Sequence, residues 1–191
     1  MSTTGGDGVS FGVLLDAAQL GRAWAIEALW RAYAPAVVGY AQVAGVVDPD
    51  DVTSEVFLGA LRSLRTFRGA EPQFRSWLFT IAYRRVADER RRRARQPDTR
   101  SADLDGQLDA HRRAASAEDD VLGRLRTERV IALCGRLAPA QRDVLVLRLV
   151  AGLTVEEVAV VAGRSPGAVK ALQRRGLAHL SRILGVEAVP L

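Results

Sequence analysis

The residues best equipped for chemistry lie between positions 72 and 95, PQFRSWLFTIAYRRVADERRRRAR, where rings and guanidinium groups alternate along what the spacing predicts is one helix. Its first half sets Phe74, Trp77, Leu78, Phe79, Ile81 and Tyr83 beside Arg75. Its second half runs through Arg84 and Arg85 into Arg90, Arg91, Arg92, Arg93 and Arg95. Arginine neutralises phosphate without reading sequence, and an aromatic face stacks on an unpaired base, so the combination points to single-stranded nucleic acid. Trp77, Leu78, Ile81, Ala82 and Val86 recur at three- and four-residue steps, which lets one stripe face a core while the arginines stay in water. Taken alone, the same pattern also fits an amphipathic helix with a solvated basic end. The rest of the chain has to decide between the two.

Nothing in the sequence suggests covalent or metal chemistry. Cys134 is the single cysteine, which excludes an internal disulfide and a multi-cysteine zinc site and leaves a buried small apolar residue as its expected role. His111 and His179 stand far apart, and neither a carboxylate cluster nor a P-loop is present, so no catalytic residue, cofactor or metal is expected. Charge points elsewhere. The net charge of +5 and pI near 10.3 conceal a strong asymmetry. Residues 65 to 100 hold eleven arginines against Glu71, Asp88, Glu89 and Asp98, whereas residues 101 to 121 are acidic. Concentrated basic surface implies a polyanionic partner. A 48% hydrophobic content excludes wholesale disorder. The absence of a leader-like start and of any run of 18 apolar residues leads us to expect a cytoplasmic protein.

The elements that must position these groups are helical throughout. Residues 1–10 are expected to be a disordered tail. From Phe11 to Tyr33, the residues Val13, Leu14, Ala17, Leu20, Trp24, Ala28, Leu29 and Tyr33 fall at helical spacing; Pro35 is expected to interrupt, with a second piece over Val37 to Val43. Asp48-Pro49-Asp50-Asp51 is a helix start, with Asp48 as cap, and the helix over 49–65 puts Val52, Val56, Phe57, Ala60, Leu61 and Leu64 on one face. A compact helical domain over 11–95 follows. Residues 96–117 are acidic, small and polar, the composition of a flexible linker.

A second helical domain is expected over 118–185, with a short tail at 186–191. A helix over 118–136 is broken at Leu137-Ala138-Pro139; the next carries Val144, Leu145, Leu147 and Leu149 as core candidates. Thr154-Val155-Glu156-Glu157 is a capping box, Gly163 supplies a left-handed turn, and Ser165-Pro166 opens a helix with Val169, Leu172, Leu177, Leu180 and Ile183 inward. A short helix, a glycine turn and a longer capped helix with outward Lys170, Arg174 and Arg175 make a helix-turn-helix.

With these residues in place, the chain resembles the bacterial RNA polymerase sigma factors of the sigma-70 class, in the short extracytoplasmic-function (ECF) group that keeps only regions 2 and 4. Three stretches carry the likeness. DPDDVTSEVFLGALRSL (48–64) is similar to region 2.2, FRGAEPQFRSWLFTIAYRRVADERRRR (67–93) looks like regions 2.3 and 2.4, and residues 137–180 look like region 4. The resemblance implies an all-α protein of two small helical domains, region 2 over 11–95 and region 4 over 118–185. It implies a function in directing core polymerase to promoters and opening them. The implied partners are core RNA polymerase, through its beta-prime clamp helices and beta flap, promoter DNA, and an anti-sigma factor.

It also implies roles for particular residues. Asp51, Ser54, Glu55 and Phe57 would dock on polymerase. Phe67, Arg68, Phe74, Arg75, Trp77, Tyr83, Arg84 and Arg85 would hold the opened minus-ten element, stacking and phosphate contacts offsetting the few kcal/mol that unstacking a base costs. Ser165, Ala168, Lys170, Ala171, Arg174 and Arg175 would meet the minus-thirty-five element in the major groove. Ser54 stands where Gln is usual, Arg85 where Asn is common, and Ala168 and Ala171 where Thr and Ser are often found. A stand-alone helix-turn-helix repressor or activator is the alternative; it would account for residues 139–184 and leave the aromatic basic helix without a task.

Overall fold

The computed structural model describes residues 9–95 and 129–185, and every regular element among them is an α-helix. The helices are α1 (Phe11–Gln19), α2 (Ala23–Val43), α3 (Pro49–Leu64), α4 (Glu71–Arg95), α5 (Pro139–Leu149), α6 (Val155–Ala162) and α7 (Pro166–Leu184). A further helical stretch occupies 129–135. The linker expected at 96–117, the first part of the helix expected at 118–136 and the tail expected at 186–191 lie outside the described residues, as do positions 1–8 of the N-terminal tail.

Local signals set most of the boundaries. The Asp48 carboxylate accepts the Asp51 amide at 2.9 Å, and Pro49 opens α3. This satisfies one orphan donor of the first turn. Val52, Val56, Phe57, Ala60 and Leu64 are then buried against α2 and α4. Gly21, at φ 74°, separates α1 from α2. Pro35 does not interrupt α2, contrary to the expectation from its residue type. The helix carries on because Tyr33, Ala34, Val37, Tyr40 and Ala41 are all buried around it. Burial of that face outweighs the roughly 3 kcal/mol that an interior proline costs. Of the stripe expected from Phe11 to Tyr33, Val13, Leu20 and Trp24 point outward, while Leu29 and Tyr33 are buried.

In the second half, Thr154 and Glu157 form the reciprocal capping box, Gly163 takes φ 62°, and the Ser165 hydroxyl accepts the Ala168 amide. These set the turn of the helix-turn-helix. Val169 and Leu172 of α7 are buried, while Leu177, Leu180 and Ile183 are half-buried. Leu149, expected inside, is 71% exposed at the end of α5. Asp143, Val144, Leu145, Val146 and Leu147 are buried in succession. Five consecutive helical residues span more than a full turn, so α5 is enclosed on every side. One side is covered by α6 and α7; the other is covered by α2 of the first bundle, and α4 lies against α6. The two helical bundles therefore share one continuous apolar core. Among the described residues, no helix is long and apolar enough to cross a membrane.

Candidate nucleic-acid interface

Helix α4 sorts the expected residues onto different faces. Phe74 is 2% exposed, ringed by Phe11, Tyr33, Phe67 and Trp77 at centroid distances of 5.2–5.6 Å. It cannot offer a face to a base; its part is to support the rings around it. Phe67 and Trp77 form the outer, half-buried side of that cluster, with centroids 5.0 Å apart. Their positions are fixed from below. The Gln19 side-chain amide donates to the carbonyls of Leu64 and Phe67 at 3.0 and 2.9 Å, tying the end of α1 to the loop that carries Phe67. No local sequence signal marks Gln19 for this task.

From Trp77 a row runs along α4 through Ile81 to Arg84 and Arg85, at helical steps of four, seven and eight residues. Both arginines are exposed. The rise along the helix places Arg84 about 10 Å beyond Trp77, so a half-exposed ring pair and two exposed guanidinium groups share one surface. Arg85 reaches back to Glu55 on α3 at 3.5 Å, both side chains being more than 40% exposed. An ion pair so open to solvent contributes ~1 kcal/mol at most, and phosphate competes with it readily. Arg68, beside Phe67, donates to the carbonyls of Arg65 and Phe67 at 2.9 and 2.7 Å and is exposed.

Two expected minus-ten residues lie elsewhere. Arg75 donates to Glu71 at 3.0 Å, and the same carboxylate oxygen accepts the Tyr33 hydroxyl at 3.2 Å. Burial, and then the Glu71 charge, push the Tyr33 phenol well above its ordinary range. The Arg75 guanidinium also lies beside Gly152 of the second bundle. Tyr83 is half-buried, near Tyr40 and Arg90. Arg75 thus belongs to the seam between bundles, and Tyr83 lies on the Tyr40 and Arg90 side of α4. Farther along, Arg91 pairs with Asp88, and Arg92 and Arg93 with Glu89, so the basic end of α4 is partly neutralised by its own acids.

On α3, Asp51, Ser54 and Glu55 are exposed, with the Ser54 hydroxyl donating to the Asp50 carbonyl at 2.9 Å. Phe57 is turned inward, 5% exposed, with the Trp30 ring at 4.6 Å. It shapes the helix from beneath and is not on the exposed face expected to dock. Leu58, which the apolar periodicity passes over, is 55% exposed one turn from Ser54 and Glu55. A leucine out of phase with the buried stripe was the available signal.

The helix-turn-helix presents Ser165, Lys170, Arg174 and Arg175 exposed, with Ala168 and Ala171 half-buried between them. Arg164, also exposed, stands at the turn just ahead of α7. Among the described residues, no carboxylate is within ion-pair reach of Lys170, Arg174 or Arg175. Exposed cations with small residues between them form a face of the kind that phosphate contacts and close approach to a groove require. Gly176 lets α7 lie close on α5: a Cβ there would sit 2.8 Å from Leu145 Cδ1.

A capped helix-turn-helix beside a helical bundle that sets rings next to arginines is an arrangement suited to binding nucleic acid. Comparison with known proteins narrows the class. The family model for sigma-70 region 2 matches residues 29–96, and that for sigma-70 region 4 matches residues 135–182. The chain is 36% identical over 177 residues to the ECF RNA polymerase sigma factor BldN of Streptomyces coelicolor, covering 92% of this chain and 66% of BldN. It is 34% identical over 146 residues to the RNA polymerase sigma factor CnrH of Cupriavidus metallidurans, covering 74% of this chain and 75% of CnrH. The solved structure of CnrH in complex with the cytosolic domain of CnrY matches at a TM-score of 0.65 and 27% identity, over 92% of this chain and 97% of that one. The chain belongs to the ECF group of sigma-70 RNA polymerase sigma factors.

Proposed function

We propose that the chain directs core RNA polymerase to promoters through three separate surfaces. The α3 face of Asp51, Ser54, Glu55 and Leu58 docks on the polymerase clamp helices. The row of Phe67, Trp77, Arg84 and Arg85 holds the opened minus-ten strand, with Arg68 beside it. The exposed face of α7 rests on the minus-thirty-five duplex. One observation carries the reading: a single chain combines a helix whose exposed cations have no ion-pair partner among the described residues with a second helix that places half-exposed rings beside exposed arginines. Duplex binding alone needs only the first.

The chemistry is binding and deformation. Base–aromatic stacking contributes about 1–3 kcal/mol per base, which matches the few kcal/mol needed to unstack one, so a ring pair poised in advance tips the balance toward the open strand. A partner that holds the protein inactive, an anti-sigma factor, belongs to the same reading; its support is that the relative CnrH has been solved in complex with the cytosolic domain of CnrY.

The test uses permanganate reactivity of thymines in promoter DNA incubated with core polymerase and this protein. The wild type makes minus-ten thymines reactive. Trp77→Ala and Phe67→Ala leave minus-thirty-five protection in place and lose most of that reactivity. Equal loss of protection and reactivity would refute the separation of tasks.

A further inference from the structure

Beside the apolar core that the two bundles share lies a polar cluster whose groups are matched to one another. Arg90 of α4 forms a bidentate pair with Asp143 of α5, both bonds at 2.9 Å, and the same guanidinium donates to the Ala44 carbonyl at 3.1 and 3.3 Å. Asp143 is 6% exposed. Two more arginines converge on the same spot: Arg93 donates to the Gly45 carbonyl at 3.2 Å, and Arg142 of α5 to the Val43 carbonyl at 3.3 Å. The carbonyls that α2 leaves unpaired at its C-terminal end are thus capped by guanidinium groups from both bundles, where the helix dipole favours positive charge. A bidentate Arg–carboxylate pair is directional as well as strong, and breaking one partner leaves the other charge buried. Contacts of this kind specify one docking geometry.

Promoter binding requires a different arrangement. The minus-ten and minus-thirty-five elements are separated by roughly 25 base pairs, about 85 Å along the duplex at about 3.4 Å per step. In the docked form α4 touches α6 and α6 touches α7. At interaxial distances of about 8–10 Å, two such contacts separate the axes of α4 and α7 by about 20 Å, and helices of 25 and 19 residues, about 37 and 28 Å long, still leave the span well short of 85 Å. One docked molecule cannot reach both elements.

We infer that the Arg90–Asp143 pair, seated on the C-terminal end of α2, is a latch that holds the free protein closed and has to open before both promoter elements are engaged. This rests on the sigma-factor reading. The closed form also withholds Arg75 and Arg90 from DNA, each less than a third exposed.

Small-angle scattering of the full chain tests the latch, using Asp143→Asn, Arg90→Met, the double variant, and Asp88→Asn as a control for an exposed pair. The wild type is compact, and stays so at about 0.5 M salt because a buried pair is little screened. Each single variant raises the radius of gyration by about 30% or more over the wild type, whose folded scale is about 16 Å for a chain of this length. The double variant goes no further than the larger single change, because both remove one interaction, and Asp88→Asn changes nothing. Circular dichroism on the same samples reports helix content. A fully helical variant as compact as the wild type, additive effects, or an already extended wild type would overturn the latch. Should a single variant lose helix, the wild-type profile at low and high salt still decides. Core-dependent transcription is scored in parallel. Opened variants should need less protein for half-maximal transcription, by the factor with which the closed form outnumbers the open one. Absence of transcription in every form, with the profiles changing as stated, removes the sigma reading and leaves the latch.

Discussion

Replacing Gly176 with alanine asks how closely the recognition helix is seated. The new Cβ would lie 2.8 Å from Leu145 Cδ1, 3.3 Å from Leu145 Cγ and 3.4 Å from Gln141 Cβ. Leu145 is 2% exposed and has no solvent to swing into. Alanine gains about 1 kcal/mol over glycine in a helix interior, while inserting a methyl into a filled core costs about 1–3 kcal/mol. The net expectation is a loss of about 1 kcal/mol, or about 2–4 °C in melting temperature for a chain of this size. Gly167, in the first turn of the same helix, is the control. Nothing lies within 4 Å of its would-be Cβ, so Gly167→Ala should gain up to about 1 kcal/mol. Urea unfolding of both variants measures the pair of opposite signs, with an unchanged denaturant slope showing that the unfolded reference is the same. Should Gly176→Ala prove as stable as Gly167→Ala, α7 is not packed on α5 as described.

Three further outcomes are expected. Arg174→Ala or Arg175→Ala should weaken binding to duplex promoter DNA and flatten its salt dependence by about 0.9 in the log–log slope per lost phosphate contact, so that a fourfold rise in salt costs the variant about 3.5-fold less affinity than it costs the wild type; an unchanged slope places these arginines off the backbone. Leu58→Asp should reduce co-purification with core polymerase while sparing duplex binding, and the reverse pattern would remove Leu58 from the docking face. Burial raises the Cys134 thiol above its ordinary value, with Arg142 pulling it back in part. The reactive thiolate therefore forms only at higher pH, and the alkylation rate should still be climbing at about pH 9, where a free thiol of pKa about 8.5 is mostly ionised. A plateau below that pH would contradict the burial.

What could be read from the sequence was mostly local. Asp48, Thr154, Glu157 and Ser165 act within one helical turn of themselves, and each forms the cap its type and spacing predict. The inward stripe of α3 and the outward cations of α7 were legible for the same reason. What failed depended on distant packing. Pro35 stays inside a helix because residues on both sides of it are buried, which its immediate neighbours do not reveal. Phe74 carries the same letter as Phe67, and only the tertiary cluster tells the two apart. Arg90 was one of a run of arginines, and its partner lies 53 residues away in another bundle. A weak sign of that partner did exist: the run Val144 to Leu147 has no polar face, so a helix carrying it needs a second layer, and Asp143 stands at its head.

The most direct measurement is transcription by purified core polymerase on a genomic promoter library, with and without this protein, alongside footprinting by the protein alone. Specific transcripts that require both components, together with weak protection of duplex DNA by the free protein, are the predicted result. Tight promoter protection by the protein alone, with no transcripts and no co-purification with core polymerase, would contradict it.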